Sequence, residues 1–139
     1  MVKMTSAEAE VILKDNFADW VRDLDLSITA IDDAGLTLAI AFSPRLCRIG
    51  GIVCGQALIA AADTAMVIAL AAAMGGMRAM TTVDLTINYM RPILDEDVKV
   101  QARVRRLGRS LAFCTTDIEG ERTAKPAAFA TGTYAILVQ

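Results

Sequence analysis

The chain has 139 residues and a formal net charge of −2, a length that suits one domain with a buried core. The small negative charge gives no general attraction to nucleic acids or anionic membranes, so we expect neither as a partner. Histidine is absent from the sequence, which excludes Ser-His-Asp and Cys-His catalysis and histidine-ligated metals. Any acid–base chemistry must therefore use carboxylates, or less usual groups such as Cys, Lys or Tyr.

The cysteines and the amino terminus predict the cellular compartment of the protein. Cys47, Cys54 and Cys114 form an odd set without CxxC spacing, which argues against a disulfide framework and against a zinc site. The first residues lack the apolar stretch and cleavage site of a signal peptide. We therefore expect a reducing, cytoplasmic location and no metal or redox cofactor.

The amino-terminal segment has the pattern of an amphipathic helix. Thr5 followed by Glu8 fits a capping box at the start of the helix. Apolar residues then recur at helical spacing and predict a stripe packed in the core; they are Leu13, Phe17, Trp20, Val21 and Leu24.

The remainder predicts six strands around one long helix. Strands are expected at residues 26–31 and 36–42, then at 81–90, 98–104, 110–118 and 127–138. Residues 43–53 are expected to form a loop, and the helix to begin at Gly55 or Gln56 and to stop at Gly75. Strict alternation in 81–90 predicts that one face carries Val83, Leu85, Ile87 and Tyr89, and the other Thr82, Asp84, Thr86 and Asn88. The pattern predicts an α+β fold, an antiparallel sheet wrapped around one apolar helix, in a single domain over residues 1–139.

One carboxylate stands out in that helix. Asp63 is the only charge between Ala57 and Met74, and a buried carboxylate is costly unless it is paired or hydrogen-bonded. One interpretation is a catalytic acid near the backbone N–H groups of a helix start. The other is an Asp on the solvent side of the helix, or one that caps a neighbouring loop. The run approaches membrane-spanning length, but Asp63 and the lack of a basic flank favour a buried core helix.

Five short motifs resemble a known family. In chain order they are Gly51-Ile52-Val53-Cys54-Gly55-Gln56, Asp63-Thr64-Ala65, Thr82-Val83-Asp84-Leu85, Tyr89-Met90-Arg91-Pro92 and Arg106-Leu107-Gly108-Arg109-Ser110. Together they resemble the hot-dog-fold acyl-CoA thioesterases, and most closely the phenylacetate-pathway type, which is also similar to the 4-hydroxybenzoyl-CoA thioesterases. The resemblance covers about residues 40 to 138.

The resemblance implies a function and an assembly. Its fold is a curved antiparallel sheet around a long central helix, here preceded by an amino-terminal amphipathic helix. Two protomers pair their sheets edge to edge, the active sites lie at the protomer interface, and dimers of dimers are common. The implied reaction is hydrolysis of an acyl-CoA, with a medium-chain or aromatic acyl group, to a free acid and coenzyme A. Coenzyme A takes part only within substrate and product.

The same resemblance assigns roles to individual residues. The backbone N–H of Gly55 would bind the thioester carbonyl oxygen. Asp63 would arrive from the partner subunit and attack the carbonyl or activate a water. Thr82 matches a position that often carries a hydroxyl near the acid. Two helical turns separate Gly55 from Asp63, which makes a partner-supplied acid physically sensible.

The resemblance also implies further residues that contact the substrate, and ordinary structural roles fit several of them as well. Cys54 and Gln56 stand where the family usually has His and a second Gly, and Arg48 stands where a polar amide is common. The substrate's nucleotide end would lie at the surface near Leu107, Gly108 and Arg109, and Arg91 closes a neighbouring strand. Cys54 also fits a packing role, Arg91 fits solubility or an inter-subunit pair, and the 107–109 turn fits an ordinary solvated hairpin.

Two other functions fit the same scaffold. A hot-dog dehydratase would use a histidine that this chain lacks. A non-catalytic acyl-CoA-binding module, acting as a ligand sensor or a partner subunit, is favoured by the substitutions at Cys54 and Gln56. Steady release of thiol from an acyl-CoA would separate the enzyme from the module.

Overall fold

A computed structural model describes residues 4–137 of the chain. The helices are α1 (Ser6–Asp15), α2 (Asp19–Arg22) and α3 (Gly55–Met74). The strands are β1 (Leu26–Asp32), β2 (Gly35–Ile40), β3 (Cys47–Arg48), β4 (Ile52–Val53), β5 (Met80–Tyr89), β6 (Val98–Leu107), β7 (Leu111–Gly120) and β8 (Pro126–Ile136). Six of them form one antiparallel sheet in the order β1-β2-β6-β7-β8-β5, and β3 pairs with β4.

Helix α3 is the centre of the core, as the sequence predicts. Twelve of its residues are buried, among them Met66, Ile68 and Leu70, and its many Ala residues let the strands approach closely. It ends at Gly75, whose φ of 79° is the left-handed cap that glycine adopts at low cost. Its length and mean hydropathy of 2.0 would suit a membrane span, but most of this stretch is buried inside the domain. The hot-dog fold is therefore confirmed.

The amino-terminal segment differs from its prediction. The capping box of Thr5 and Glu8 is present, but the helix ends at Asp15 and a separate turn, α2, follows. Asn16 caps α1, and Ala18 in an extended conformation starts α2, so the helical phase is lost between them. Trp20, predicted to be in the core, is therefore 59% exposed, while Leu13, Val21 and Leu24 are buried.

Strand β5 carries a bulge that the alternating pattern concealed. Thr82 pairs with Tyr134 and Asp84 with Thr133, so Val83 has no partner in the ladder and is 59% exposed. Residues that pair directly across strands share a face. Thr82 therefore lies on the helix-facing side with Tyr134, and the prediction of strict alternation is wrong at this point.

The other predicted strands are confirmed with shifted ends. β6 continues to Leu107 through a second bulge, between Val104 and Arg106. The predicted loop 43–53 holds a 3-10 turn (Pro44–Leu46) and the short β3–β4 hairpin. Val138, the predicted end of the last strand, lies outside the described residues.

The core contains one hydroxyl whose removal should stabilise the fold. Thr116, on β7, is 0% exposed, and within residues 4–137 its Oγ1 has no hydrogen-bond partner. Valine has nearly the same shape without the buried polar atom. We expect Thr116→Val to raise the free energy of unfolding by about 1 kcal/mol, measured by urea denaturation.

The adjacent Thr115→Val is the matched control. The Thr115 hydroxyl accepts a hydrogen bond from Arg105 Nε at 2.7 Å, so its removal should not stabilise the protein. A loss of stability in Thr116→Val would contradict the assignment of its hydroxyl as unpartnered.

Candidate functional site

Asp63 is held by a tyrosine from the sheet. It lies in the third turn of α3, and the phenol of Tyr134, on β8, donates a hydrogen bond to its Oδ1 at 2.8 Å. Tyr134 is fully buried and Asp63 is partly buried. Gly132 leaves the space for this ring, because a Cβ there would lie 2.8 Å from the ring and 3.0 Å from the Met66 sulfur. The hydrogen bond is therefore built into the core packing.

Burial sets the protonation of this pair. It raises the pKa of Asp63 above the ordinary 3.8, and the Tyr134 hydrogen bond partly opposes that rise. Burial and the neighbouring Asp63 charge both raise the pKa of Tyr134 far above 10.0. Cys114 lies behind the ring, and burial raises its pKa to about 12. Asp63 is thus the most acidic member of this cluster, while Tyr134 remains a neutral donor.

The start of α3 presents free backbone donors. Cys54 occupies the N-cap position, and its side chain makes no capping hydrogen bond. The first N–H groups of a helix, here those of Gly55 and Gln56, have no acceptor within the helix. The partial positive charge of the helix start adds to their attraction for a negative oxygen. This arrangement can bind a carbonyl or oxyanion.

Tyr89 fastens this helix start to β5. Its hydroxyl donates to the Gly55 carbonyl oxygen at 2.8 Å. A Cβ on Gly55 would lie 3.1 Å from the Tyr89 ring and hydroxyl, tighter than an ordinary contact. Burial raises the pKa of Tyr89, with a smaller contribution from Cys54. Gly55 is thus fitted beneath an aromatic ring.

A cleft opens beside this helix start. It has a volume of about 460 Å³ and brings Gly55 together with two predicted binding residues, Arg48 and Arg91. Its remaining lining is mostly apolar and consists of Ile52, Val53, Leu58, Tyr89, Met90, Pro92 and Ile93. Cys54 is half-buried and Gln56 is exposed at the same end of α3.

Within one chain, the predicted residues fall into three separate places. Asp63 lies eight residue steps after Gly55 along the helix, a rise of about 12 Å. Thr82 lies on the Asp63 side, because it pairs with Tyr134.

The 107–109 turn is the third place. It joins β6 to β7 at the end of the sheet where Leu111 pairs with Ala135, itself the partner of Thr81. Tyr89, at the cleft, lies about 26 Å further along β5. A single chain therefore does not bring Leu107, Gly108 and Arg109 to the cleft.

Two tyrosines were not assigned roles by the sequence pattern. Tyr134 could have been found, because a buried phenol needs a hydrogen-bond partner and the central helix carries one charge to receive it. Tyr89 could not, since its contact with Gly55 depends on how β5 crosses the helix start.

A larger cleft, of about 750 Å³, lies elsewhere, between α1, α2 and β1. Three of its charged side chains, Glu10, Asp19 and Arg22, have local hydrogen-bond partners. Glu10 accepts from the backbone N–H of Ile28, and Arg22 donates to Asp19 and to the carbonyl of Lys14. The cleft contains none of the predicted site residues.

Comparisons with known proteins show which proteins this chain is similar to. A protein of Thermoplasma volcanium named "Putative esterase" is 32% identical over 91 residues, which are 60% of this chain and 62% of that protein. This chain therefore matches less than two thirds of the length of that protein.

Solved structures extend the likeness to nearly the whole chain. A Silicibacter structure described as a "putative thioesterase" has a TM-score of 0.88 at 26% identity, covering 99% of this chain and 95% of that one. The PaaI protein of the Escherichia coli phenylacetic acid degradation operon has a TM-score of 0.82 at 19% identity, covering 97% of both chains. A thioesterase of Haemophilus influenzae has a TM-score of 0.85 at 20% identity, covering 98% and 94%. The latter two likenesses, at such low identity, bear on the fold alone.

The family follows from the sequence match itself. The profile of the thioesterase superfamily matches residues 50–127, a segment that includes the start of α3, Asp63, the 107–109 turn and all of the cleft lining except Arg48. This match spans more than half of the chain, and the fold agrees with it. The protein therefore belongs to the thioesterase superfamily.

Proposed function

We propose that this protein is an acyl-CoA thioesterase whose active site combines Gly55 of one protomer with Asp63 of its partner. The observation that carries the proposal is Asp63 itself. It is the only charge of a buried helix, it is held by a hydrogen bond, and it lies in a chain of the thioesterase superfamily. A carboxylate kept at such a cost is a strong candidate for chemistry.

The reaction needs a base or nucleophile, and an acceptor for negative charge. Asp63 in its ionised form either removes a proton from water, which attacks the thioester carbon, or attacks that carbon itself. The carbonyl oxygen gains negative charge and is stabilised by the N–H of Gly55. By the water route, the carbon–sulfur bond then breaks, the sulfur takes the proton held by Asp63, and free acid and coenzyme A leave. By the direct route, the sulfur takes a proton from solvent and coenzyme A leaves first, while the acyl group stays on Asp63 as an anhydride. Water then cleaves this anhydride, which releases the free acid and restores the carboxylate.

The spacing along α3 favours a site shared between two chains. Groups about 12 Å apart cannot contact one carbonyl, so Gly55 and Asp63 of the same chain cannot act together. Strand β5 is an edge of the sheet, and an uncovered edge can pair with a second copy.

The two ends of β5 match the two halves of the proposed site. Its Tyr89 end contacts Gly55, and its Thr82 end lies beside Tyr134, the partner of Asp63. Antiparallel pairing of two β5 strands, with the twofold axis between Leu85 and Thr86, would place Thr82 opposite the partner subunit's Tyr89. Asp63 would thereby approach the partner subunit's Gly55. This supports a homodimer as the smallest active unit, and dimers of dimers remain compatible with it.

Substrate binding can be divided between the cleft and the hairpin. The cleft beside Gly55 offers apolar side chains together with Arg48 and Arg91, suited to the acyl and pantetheine portions. The 107–109 turn presents Arg109, whose guanidinium suits phosphate oxygens. We propose a medium-chain or aromatic acyl group, because the lining of the cleft is mostly apolar.

The first prediction concerns Asp63. We expect Asp63→Asn to keep the fold and oligomer, because Asn still accepts the Tyr134 hydrogen bond, and to lower turnover by about a hundred- to ten-thousandfold. The measurement is free-thiol release from short, medium, long and aromatic acyl-CoAs. Because the ionised form is required and burial raises the pKa of Asp63, wild-type activity should fall on acidification with a midpoint above 3.8.

The same assay separates the alternatives. Equal release by wild type and Asp63→Asn would remove Asp63 from the mechanism. No release by either, with acyl-CoA still bound, would support the non-catalytic binding module that the residues at Cys54 and Gln56 motivate.

Another prediction concerns the backbone N–H of Gly55. Gly55 is the first residue of α3, where proline is well tolerated, and Cys54 before it has the extended conformation that proline requires. Gly55→Pro therefore deletes one N–H while keeping the helix. Gly55→Ala adds a similar clash with Tyr89 but retains the N–H, so it is the matched control.

We expect turnover of Gly55→Pro to be about a hundred- to a thousandfold below that of Gly55→Ala. Circular dichroism and size-exclusion chromatography check that both variants keep the wild-type fold and assembly. Equal turnover in the two variants would show that the Gly55 N–H does not bind the carbonyl oxygen.

A further inference from the structure

We propose that Tyr134 is the positioning residue of the reaction, fixing the Asp63 carboxylate so that one oxygen is occupied and the other faces the substrate. The inference rests on the proposed function. Its basis is the hydrogen bond from the Tyr134 hydroxyl to Asp63 Oδ1, at 2.8 Å. That bond leaves Oδ2 as the oxygen available to water or to the thioester carbon.

The ring of Tyr134 is rigidly held. It is 0% exposed on β8, with Gly132 leaving the space that the ring and Met66 share. Neighbouring strands β5 and β7 pair with β8 on both sides. A carboxylate on an exposed helix rotates freely about its side-chain torsions, whereas this one is tied to a fully buried residue on an interior strand of the sheet. Such pre-orientation lowers the reorganisation needed at the moment of reaction.

Tyr134 acts through Asp63 and keeps its own proton throughout. Its pKa lies far above the physiological range because it is buried beside the Asp63 charge. The phenol therefore stays a neutral donor while Asp63 gains and loses its proton. It stabilises the ionised form of Asp63 and so opposes the effect of burial on the Asp63 pKa.

The surroundings of the pair add few other charges. Within residues 4–137, the titratable groups that face it are Tyr134 itself, from β8, and the neutral thiol of Cys114, from β7. Strand β2 has no ionisable side chain. Cys54 and Tyr89 lie at the first turn of α3, near each other.

Helix α1 and strands β5, β6 and β7 also pack on α3. Their charged side chains are exposed, paired locally or on the outer face of the sheet. They are Glu8, Glu10, Lys14, Asp15, Asp84, Lys99, Arg103, Arg105, Arg106, Asp117 and Glu119. The pH response of Asp63 is therefore expected to depend chiefly on burial and on Tyr134.

The test is Tyr134→Phe, which removes one oxygen and keeps the ring. We expect turnover on the plateau of the pH profile to fall about tenfold, with KM changed less than about twofold, since the buried phenol does not touch the cleft. The acidic midpoint should rise by about one pH unit, because the ionised carboxylate loses a donor. A more basic carboxylate alone would speed proton removal, so slower turnover together with a raised midpoint reports lost orientation.

Thr116→Val is the matched control, because it also deletes one fully buried hydroxyl on the sheet. It should leave both plateau and midpoint unchanged. A Tyr134→Phe enzyme with wild-type turnover and midpoint, in a protein that Asp63→Asn inactivates, would overturn the inference while the proposed function stands. An equal fall in both hydroxyl variants, with no change of midpoint, would also overturn it. Absence of thiol release by the wild type would overturn the proposed function, and the positioning role with it.

Discussion

The structure depends on one costly group, a carboxylate placed inside an apolar helix. Asp63 is tolerable there because Tyr134 supplies a hydrogen bond from the sheet, and Tyr134 in turn needs Asp63, since a buried phenol without a partner would be destabilising. Gly132 is required by both, because any side chain at that position would press on the ring. Three residues on two elements thus form one unit, and the packing of helix on sheet fixes the direction of the acid.

A second constraint comes from helix geometry. The donors at the start of α3 and the acid in its third turn lie about 12 Å apart, too far to meet at one carbonyl group. A second copy of the chain resolves this distance, because β5 lies at the sheet edge and connects to both parts of the site. Catalysis and assembly are therefore coupled in the proposed enzyme. A lone protomer has both Gly55 and Asp63, but they lie too far apart to form one complete active site.

Much of this fold is predictable from the sequence, because periodicity reports burial directly. The long apolar run and its closing Gly75 define α3, and alternating residues define the sheet strands. Trp20 was misplaced, since a break at residues 16–18 shifts the helical phase in a way that composition does not reveal. The faces predicted for Thr82 and Val83 were wrong, because a β-bulge changes the face of the sheet on which side chains lie and leaves no mark in the order of the residues. Asp63 could be singled out as an unusual charge, and Tyr134 as a phenol that needs a partner. Their contact joins residues that are 71 positions apart in sequence, so its geometry comes only from the packing of β8 on α3.

The most direct test of the account is complementation between two impaired variants, Asp63→Asn and Gly55→Pro, coexpressed with different tags and purified as mixed dimers. In a mixed dimer one site carries both substitutions and the other carries neither. If the site is shared between chains, a random mixture should recover about a quarter of wild-type thioester hydrolysis, and purified mixed dimers about half. Activity no greater than the sum of the two separate variants would contradict a shared site, and with it the pairing of Asp63 with the partner subunit's Gly55.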